Sequence, residues 1–329
     1  MNARTETPAK LLWLGGSWTR RLSARVSRRL SLWAYGAVTS ALFGAQTSPL
    51  VMRARFERIA ATSRASLQRR FPQLTFADHP LQGGPHMESL TATDSPPRAM
   101  LYLHGGGYFM GSLASYRRRA VRLSYRCRAE VFVPAYRLSP EHTHPAALDD
   151  ALAAWRYARK ATAGRPLLVT GDSAGGGLAL ALLLRLRDLS EALPHAGVLL
   201  SPWTDLTASG DSVETNRERD RWFTKSHLCN WARHVVGEAD ARLPYLSPVF
   251  GDMSGLPPLL LMAGSDELLL DDARRVHCAA RRAGVAAELL VGTDMQHDWP
   301  LALPWLQESR EAWRRLAKFV EQHAGCTSL

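Results

Sequence analysis

From about residue 98 the chain alternates short apolar runs with polar stretches of helical period. The runs at 99–103, 130–134, 166–170, 196–200, 258–263 and 287–291 are dense in Leu, Val and Ala, as strands buried on both faces are. The segments 145–160, 174–189, 271–284 and 306–323 instead repeat their apolar residues at the three- and four-residue spacing of a helix. Strands alternating with helices predict an α/β fold: a mostly parallel central sheet, right-handed crossovers and helices on both faces. One connection breaks the rhythm, because the stretch from Leu200 to Leu259 is too long for a plain crossover. Its aromatics (Trp203, Trp222, Phe223, Trp231 and Tyr245) mark about 203–250 as a cap-like insertion able to wall a pocket.

Residues before 80 follow a different pattern. A helix over 18–33 would carry Trp18, Leu22, Val26, Leu30 and Trp33 on one stripe, with Arg20, Arg21, Arg25 and Arg28 off it and Arg29 intruding. Composition adds little, since 46% hydrophobic and 22% charged residues describe an ordinary globular protein. Charge changes the picture. The formal net charge is +11, and residues 1–70 alone hold thirteen basic side chains against Glu6 and Glu57, while the remainder holds 28 of each sign. A neutral main body is not the basic face of a nucleic-acid-binding domain, so no nucleic-acid partner is expected. The chain therefore divides into a basic amphipathic segment, 1–50, and a catalytic domain, 51–329. Three readings of the segment stay open: a helical cap over the main domain, a helix lying peripherally on an anionic membrane, and a membrane span through the uncharged stretch after Arg29. That stretch contains Gly36, Gly44, Gln46 and Pro49, which disfavours the span. No small-residue cleavage site follows the basic leader, and Cys127, Cys229, Cys278 and Cys326 show neither disulfide nor zinc spacing. A cytoplasmic protein is expected, with membrane association as the segment's alternative.

The candidate chemistry lies at the ends of the predicted strands. Gly171-Asp172-Ser173-Ala174-Gly175 follows one strand directly and opens an apolar helix. A serine hydroxyl is a weak nucleophile unless a sharp turn projects it and a base deprotonates it; small flanking residues let strand and helix approach closely. His104-Gly105-Gly106-Gly107-Tyr108 follows the strand at 99–103. Successive glycines can aim backbone N–H groups at the oxyanion that acyl transfer creates. A dinucleotide fingerprint read from Gly105 fails, because Met110 occupies its sixth position. His104 is expected to pin its own loop, Glu141 to brace that loop from outside, and the run Arg117-Arg118-Arg119 to be a solvated helix face. Tyr108 and Phe109 are candidates to line the pocket.

HGGGY at 104–108, YRLSPEH at 136–142, GDSAGG at 171–176, GSDELLLDD at 264–272 and MQHDW at 295–299 resemble the hormone-sensitive lipase family of α/β-hydrolases, particularly its bacterial esterases. The resemblance covers about residues 50–325. It implies the α/β-hydrolase fold with a helical cap, and an oxyanion hole from Gly106, Gly107 and Ala174. The base must follow the serine in chain order, and His297, in a short loop after the last predicted strand, is favoured by position and by the family pattern. Asp266, closing the strand at 258–263, matches the family's acid. Asp271 and Asp272 open the next helix, and Asp294 and Asp298 stand too close in sequence to His297 to orient it easily. The expected site is therefore Ser173, Asp266 and His297, with neither metal nor cofactor required.

The activity that follows is a serine carboxylesterase acting on small-molecule esters of short to medium chain. A lactone hydrolase or a deacetylase of a small acylated metabolite uses the same chemistry and stays open. A binding module on an inactive hydrolase scaffold is disfavoured, because serine, acid and base candidates are all present.

Overall fold

The computed structural model describes residues 47–325. The segment assigned to 1–50, including the helix expected over 18–33, lies almost wholly outside the described residues, as does Cys326. The eight strands are β1 (Thr75–Pro80), β2 (His86–Thr91), β3 (Arg98–Leu103), β4 (Ala129–Pro134), β5 (Leu167–Asp172), β6 (Gly197–Leu200), β7 (Leu259–Gly264) and β8 (Ala287–Gly292). They form one sheet in the order β1-β2-β4-β3-β5-β6-β7-β8, parallel from β4 through β8 and antiparallel only where β1 meets β2 and β2 meets β4. The helices are α1 (Pro49–Ala60), α2 (Arg64–Arg70), α3 (Leu113–Cys127), α4 (Ala146–Ala161), α5 (Ala174–Asp188), α6 (Ser212–Thr215), α7 (Lys225–Val236), α8 (Leu270–Arg282), α9 (Trp299–Ala302) and α10 (Gln307–Ala324).

Alternation along each strand divides the core in two. Leu101, Leu103, Val169, Leu199 and Leu261 face one layer, built with Trp155 of α4 and Leu178, Leu182 and Leu183 of α5. Met100, Tyr102, Leu168, Val198 and Leu260 face the other, with Leu123 of α3 and Trp313, Leu316 and Phe319 of α10. Helix α5 is apolar on nearly every side and buried along almost its whole length, the position such a helix requires. Among the described residues, no helix is long and apolar enough to cross a membrane.

The six apolar runs are all strands. β1 and β2 were not legible from periodicity because β1 is an exposed edge, ending in Pro80, and β2 contains a buried charge. That charge, Glu88, is 1% exposed and is held by Arg64 of α2 at 2.5 Å and by Arg117 of α3 at 2.9 Å. The arginine run is thus not one solvated face. Arg117 neutralises Glu88, Arg118 is exposed, and Arg119 lines the cavity described below.

Candidate active site

Strand β5 runs directly into α5 through Ser173, whose backbone sits at φ 54°, ψ −124°. Such angles are costly for any residue with a Cβ and persist only where the surroundings dictate them. Here the Ser173 N–H donates to Leu200 O (2.8 Å), and the Ser173 carbonyl accepts from the N–H groups of Gly176, Gly177 and Trp203 at 2.9, 3.1 and 2.9 Å. Gly175 is dictated by space: a Cβ there would stand 2.1 Å from Leu103 O, so any side chain would push α5 off β3. Ala174 is the first residue of α5, where backbone N–H groups have no acceptor within the helix.

Beyond β3 the chain turns through Gly106 and Gly107 at φ +109° and +61°, and Gly106 O accepts from the N–H groups of Phe109 (3.1 Å) and Met110 (3.0 Å). Asp172, the residue before the serine, tethers this loop by accepting from Gly105 N (3.0 Å) and Tyr102 OH (2.6 Å). His104 is buried between Tyr116 and Tyr136, stacked at 4.8 and 4.3 Å, and its Nδ1 bonds Gly105 O at 2.8 Å. Burial pushes its pKa down to about 4, so it is a neutral pin for the loop. Glu141 acts through Arg53 of α1, which pairs with both of its oxygens (2.7 and 2.8 Å) and donates to Phe109 O (2.6 Å) and Ser139 O (2.8 Å). Sequence reasoning missed Arg53, which is far away in the chain and set in no motif.

His297 follows β8 and is 1% exposed. Two carboxylates bracket its ring. Glu267 Oε2 stands 3.5 Å from Nδ1, and Asp298 Oδ2 stands 3.6 Å from Nε2. Both are ion-pair separations, longer than a formed hydrogen bond. The expected acid, Asp266, is displaced from this position. Its carboxylate accepts from Ser265 Oγ (2.9 Å) at a half-buried site, whereas Glu267, one peptide further on, points inward and is 0% exposed. Successive residues leaving a strand end face opposite ways, and the neighbour on the inner side carries the extra methylene needed to reach the imidazole. Ser201 Oγ secures both carboxylate-bearing residues, donating to Glu267 Oε2 (2.8 Å) and accepting from Asp298 N (3.0 Å). Asp271 and Asp272 hold the loops of the segment between β6 and β7 instead: Asp271 takes Ser212 N at 2.8 Å, and Asp272 takes Thr204 N and Asp205 N at 2.7 and 2.8 Å.

Ser173, Gly106, Gly107 and His297 line one cavity. Its wall is aromatic, with Trp203, Trp222, Phe223 and Trp231 from the segment after β6 and Phe56 from α1. Tyr108 and Phe109 turn away into the core, Phe109 packing on Trp231 with ring centres 5.2 Å apart. Tyr245 is also remote from the cavity and donates to Asp188 at the end of α5 (2.7 Å).

Burial alone would lower the His297 pKa. The carboxylates of Asp298, Glu267 and Asp220 outweigh it and raise the value to about 9. A base is useful only when unprotonated, so kcat/KM should climb tenfold per pH unit up to a limb near pH 9 and then level. Asp298→Asn removes the anion at Nε2 while keeping the shape and the tolerance of a left-handed backbone (φ 54°, ψ 25°). The limb should then move down by roughly one to three units. The charged groups that remain beside the ring are Glu267 and Asp220. An unmoved limb in the pH–rate profile would mean that Asp298 does not face the base in solution.

Comparison with known proteins agrees with this architecture. A family model described as the α/β-hydrolase fold matches residues 100–301. An acetyl-hydrolase of Streptomyces hygroscopicus is 40% identical over 230 residues, covering 69% of this chain and 77% of its own. An esterase of Acinetobacter venetianus is 32% identical over 258 residues, covering 77% and 85%. The crystal structure of an esterase from the bacterial hormone-sensitive lipase family superposes with a TM-score of 0.81 at 33% identity, over 90% of this chain and 99% of the other. With its serine at the strand–helix turn and its glycine loop beside it, the chain belongs to the α/β-hydrolase fold family and, within it, to the hormone-sensitive lipase family of esterases.

Proposed function

We propose that the protein is a carboxylic ester hydrolase that works through an acyl-enzyme on Ser173 and takes esters of short to medium acyl chain. The observation that carries this reading is the strained Ser173 facing one cavity together with His297 and the glycine loop. His297 takes the Ser173 proton as Oγ attacks the ester carbonyl. The N–H groups of Gly106, Gly107 and Ala174 receive the oxyanion. Glu267, rather than Asp266, fixes the imidazole tautomer and steadies the imidazolium. His297 then returns the proton to the departing alkoxide, and in the second half-reaction it activates a water that releases the acid. The aromatic wall supports a short or medium chain, because Trp203, Trp222, Phe223 and Trp231 bound the space beside Ser173 with apolar rings.

The same constellation would remove an acetyl group from a small metabolite, and the 40% identical relative is itself named an acetyl-hydrolase. The test is a p-nitrophenyl ester series from acetate to palmitate, read for kcat/KM and for a stoichiometric burst of p-nitrophenol. A maximum at short chains with a burst supports the reading. A maximum at palmitate removes the chain-length part, and no turnover by folded protein removes the esterase itself.

A further inference from the structure

Besides the reacting Ser173 and His297, the lining of the cavity carries two charged side chains with buried atoms that lack a hydrogen-bond partner. Asp298 Oδ1 is one and Arg119 Nη1 the other. Both residues line the cavity, and the Asp298 side chain is only 4% exposed. Arg119 reaches the cavity from α3, its guanidinium carbon 4.4 Å from the Tyr116 ring centre and Nη1 3.9 Å from Asp172 Oδ2. Buried polar groups are normally satisfied, and leaving one unmade is costly. An acceptor and a donor left open in the same reactant cavity are what a site built to bind a polar group contains.

The geometry also fixes which part of the substrate arrives there. During acylation the leaving oxygen must come within hydrogen-bond reach of His297 Nε2 to take its proton. Asp298 Oδ2 stands 3.6 Å from that same nitrogen, so Asp298 adjoins the alcohol side of the ester. A group one or two bonds from the leaving oxygen lands between Asp298 and Arg119. A carboxylate there would meet Asp298 and Asp172, and an ammonium would meet Arg119. A hydroxyl is neutral, donates once and accepts twice, and so serves both open groups.

We propose, resting on the serine-esterase reading, that Arg119 and Asp298 form a hydroxyl-recognising subsite that selects esters of 1,2-diols, polyols or sugars over esters of plain alcohols. The vicinal hydroxyl of the leaving alcohol donates a hydrogen bond to Asp298 and accepts one from Arg119.

The experiment compares 2-hydroxyethyl acetate with propyl acetate, which differ by a hydroxyl in place of a methyl, by pH-stat kcat/KM above the His297 limb. Wild type, Arg119→Met and Asp298→Ala are each measured, along with hydroxide-catalysed hydrolysis. The ratio of the two esters is taken within each protein, so any loss common to both esters cancels. Wild type should exceed the hydroxide ratio by about tenfold, the discrimination expected of about one net hydrogen bond. Each substitution should bring the ratio most of the way back. A wild-type ratio equal to that of hydroxide overturns the subsite, as does a high ratio that neither substitution moves. In both cases turnover of p-nitrophenyl acetate keeps the esterase reading standing; loss of that turnover in folded wild type overturns both.

Discussion

Glu267→Gln is expected to lower kcat/KM by about 10⁴, while Asp266→Asn should stay within tenfold of wild type. The asymmetry follows from which carboxylate meets the imidazole. Glu267 Oε2 is 3.5 Å from His297 Nδ1 and fully buried, so its charge is weakly screened and its direction is fixed by the Ser201 hydroxyl. A glutamine there keeps the shape but can donate towards Nδ1, which favours the wrong tautomer and withdraws the negative charge that the imidazolium needs. Asp266 has no such position, since its carboxylate accepts from the neighbouring Ser265 hydroxyl. Steady-state kinetics on both variants, each checked for native circular dichroism, decide the matter. The assignment fails if the large loss follows Asp266 instead. The same Glu267 variant should also lower the pH limb of whatever activity remains, because one of the anions holding up the His297 pKa has gone.

Ser173→Ala should cost about 10⁶ in kcat, and this loss should come without loss of the fold. The hydroxyl is the reacting group, yet the Ser173 side chain makes no capping bond to α5. What Ser173 contributes to the architecture it contributes through its backbone, which alanine reproduces with the same angles and the same steric cost. Glycine does not carry that cost at φ 54°, ψ −124°. Ser173→Gly should be as inactive as alanine but more stable by about 1 kcal/mol. That figure takes about 1–3 kcal/mol of relieved strain and subtracts glycine's larger unfolded-state entropy. Thermal melts of the three proteins should rank glycine first, with alanine and wild type together. If glycine melted below alanine, the strain at the nucleophile would be absent in solution.

The sheet and the site were legible to different depths, for physical reasons. Strands buried on both faces announce themselves as unbroken apolar runs, so β3 to β8 were readable without a structure. The antiparallel edge was not. β1 faces solvent on most positions, and β2 buries Glu88, a charge that only its partners Arg64 and Arg117 make affordable. The arginine run in α3 misled for the same reason: a charged residue reads as solvated until its counter-ion, distant in sequence, is known. At the site, Ser173 and His297 could be ranked because their motifs sit at strand ends, where the fold gathers chemistry. Choosing between Asp266 and Glu267 needed the direction of two adjacent side chains, which depends on a single peptide's orientation. Asp298 was set aside for its closeness in sequence to His297. It cannot hold the tautomer from Nδ1, but nothing stops a neighbour from reaching the opposite nitrogen.

Because each strand from β6 onward is laid against its predecessor, that half of the sheet can grow in the order in which a ribosome delivers it. Every intermediate would present the newest strand as an open edge until the next arrives, and β8 is left as the permanent border on that side. His297, the proposed base, comes after β8, whereas Ser173 comes after β5. A nascent chain would therefore have its serine turn, completed by Leu200 and Trp203, assembled long before it could deprotonate that serine. Helix α1 waits as well, since the carbonyls and carboxylate that Arg53 grips belong to residues 109–141. Vectorial synthesis thus favours a hydrolase that stays chemically silent until the segment after β8 has emerged.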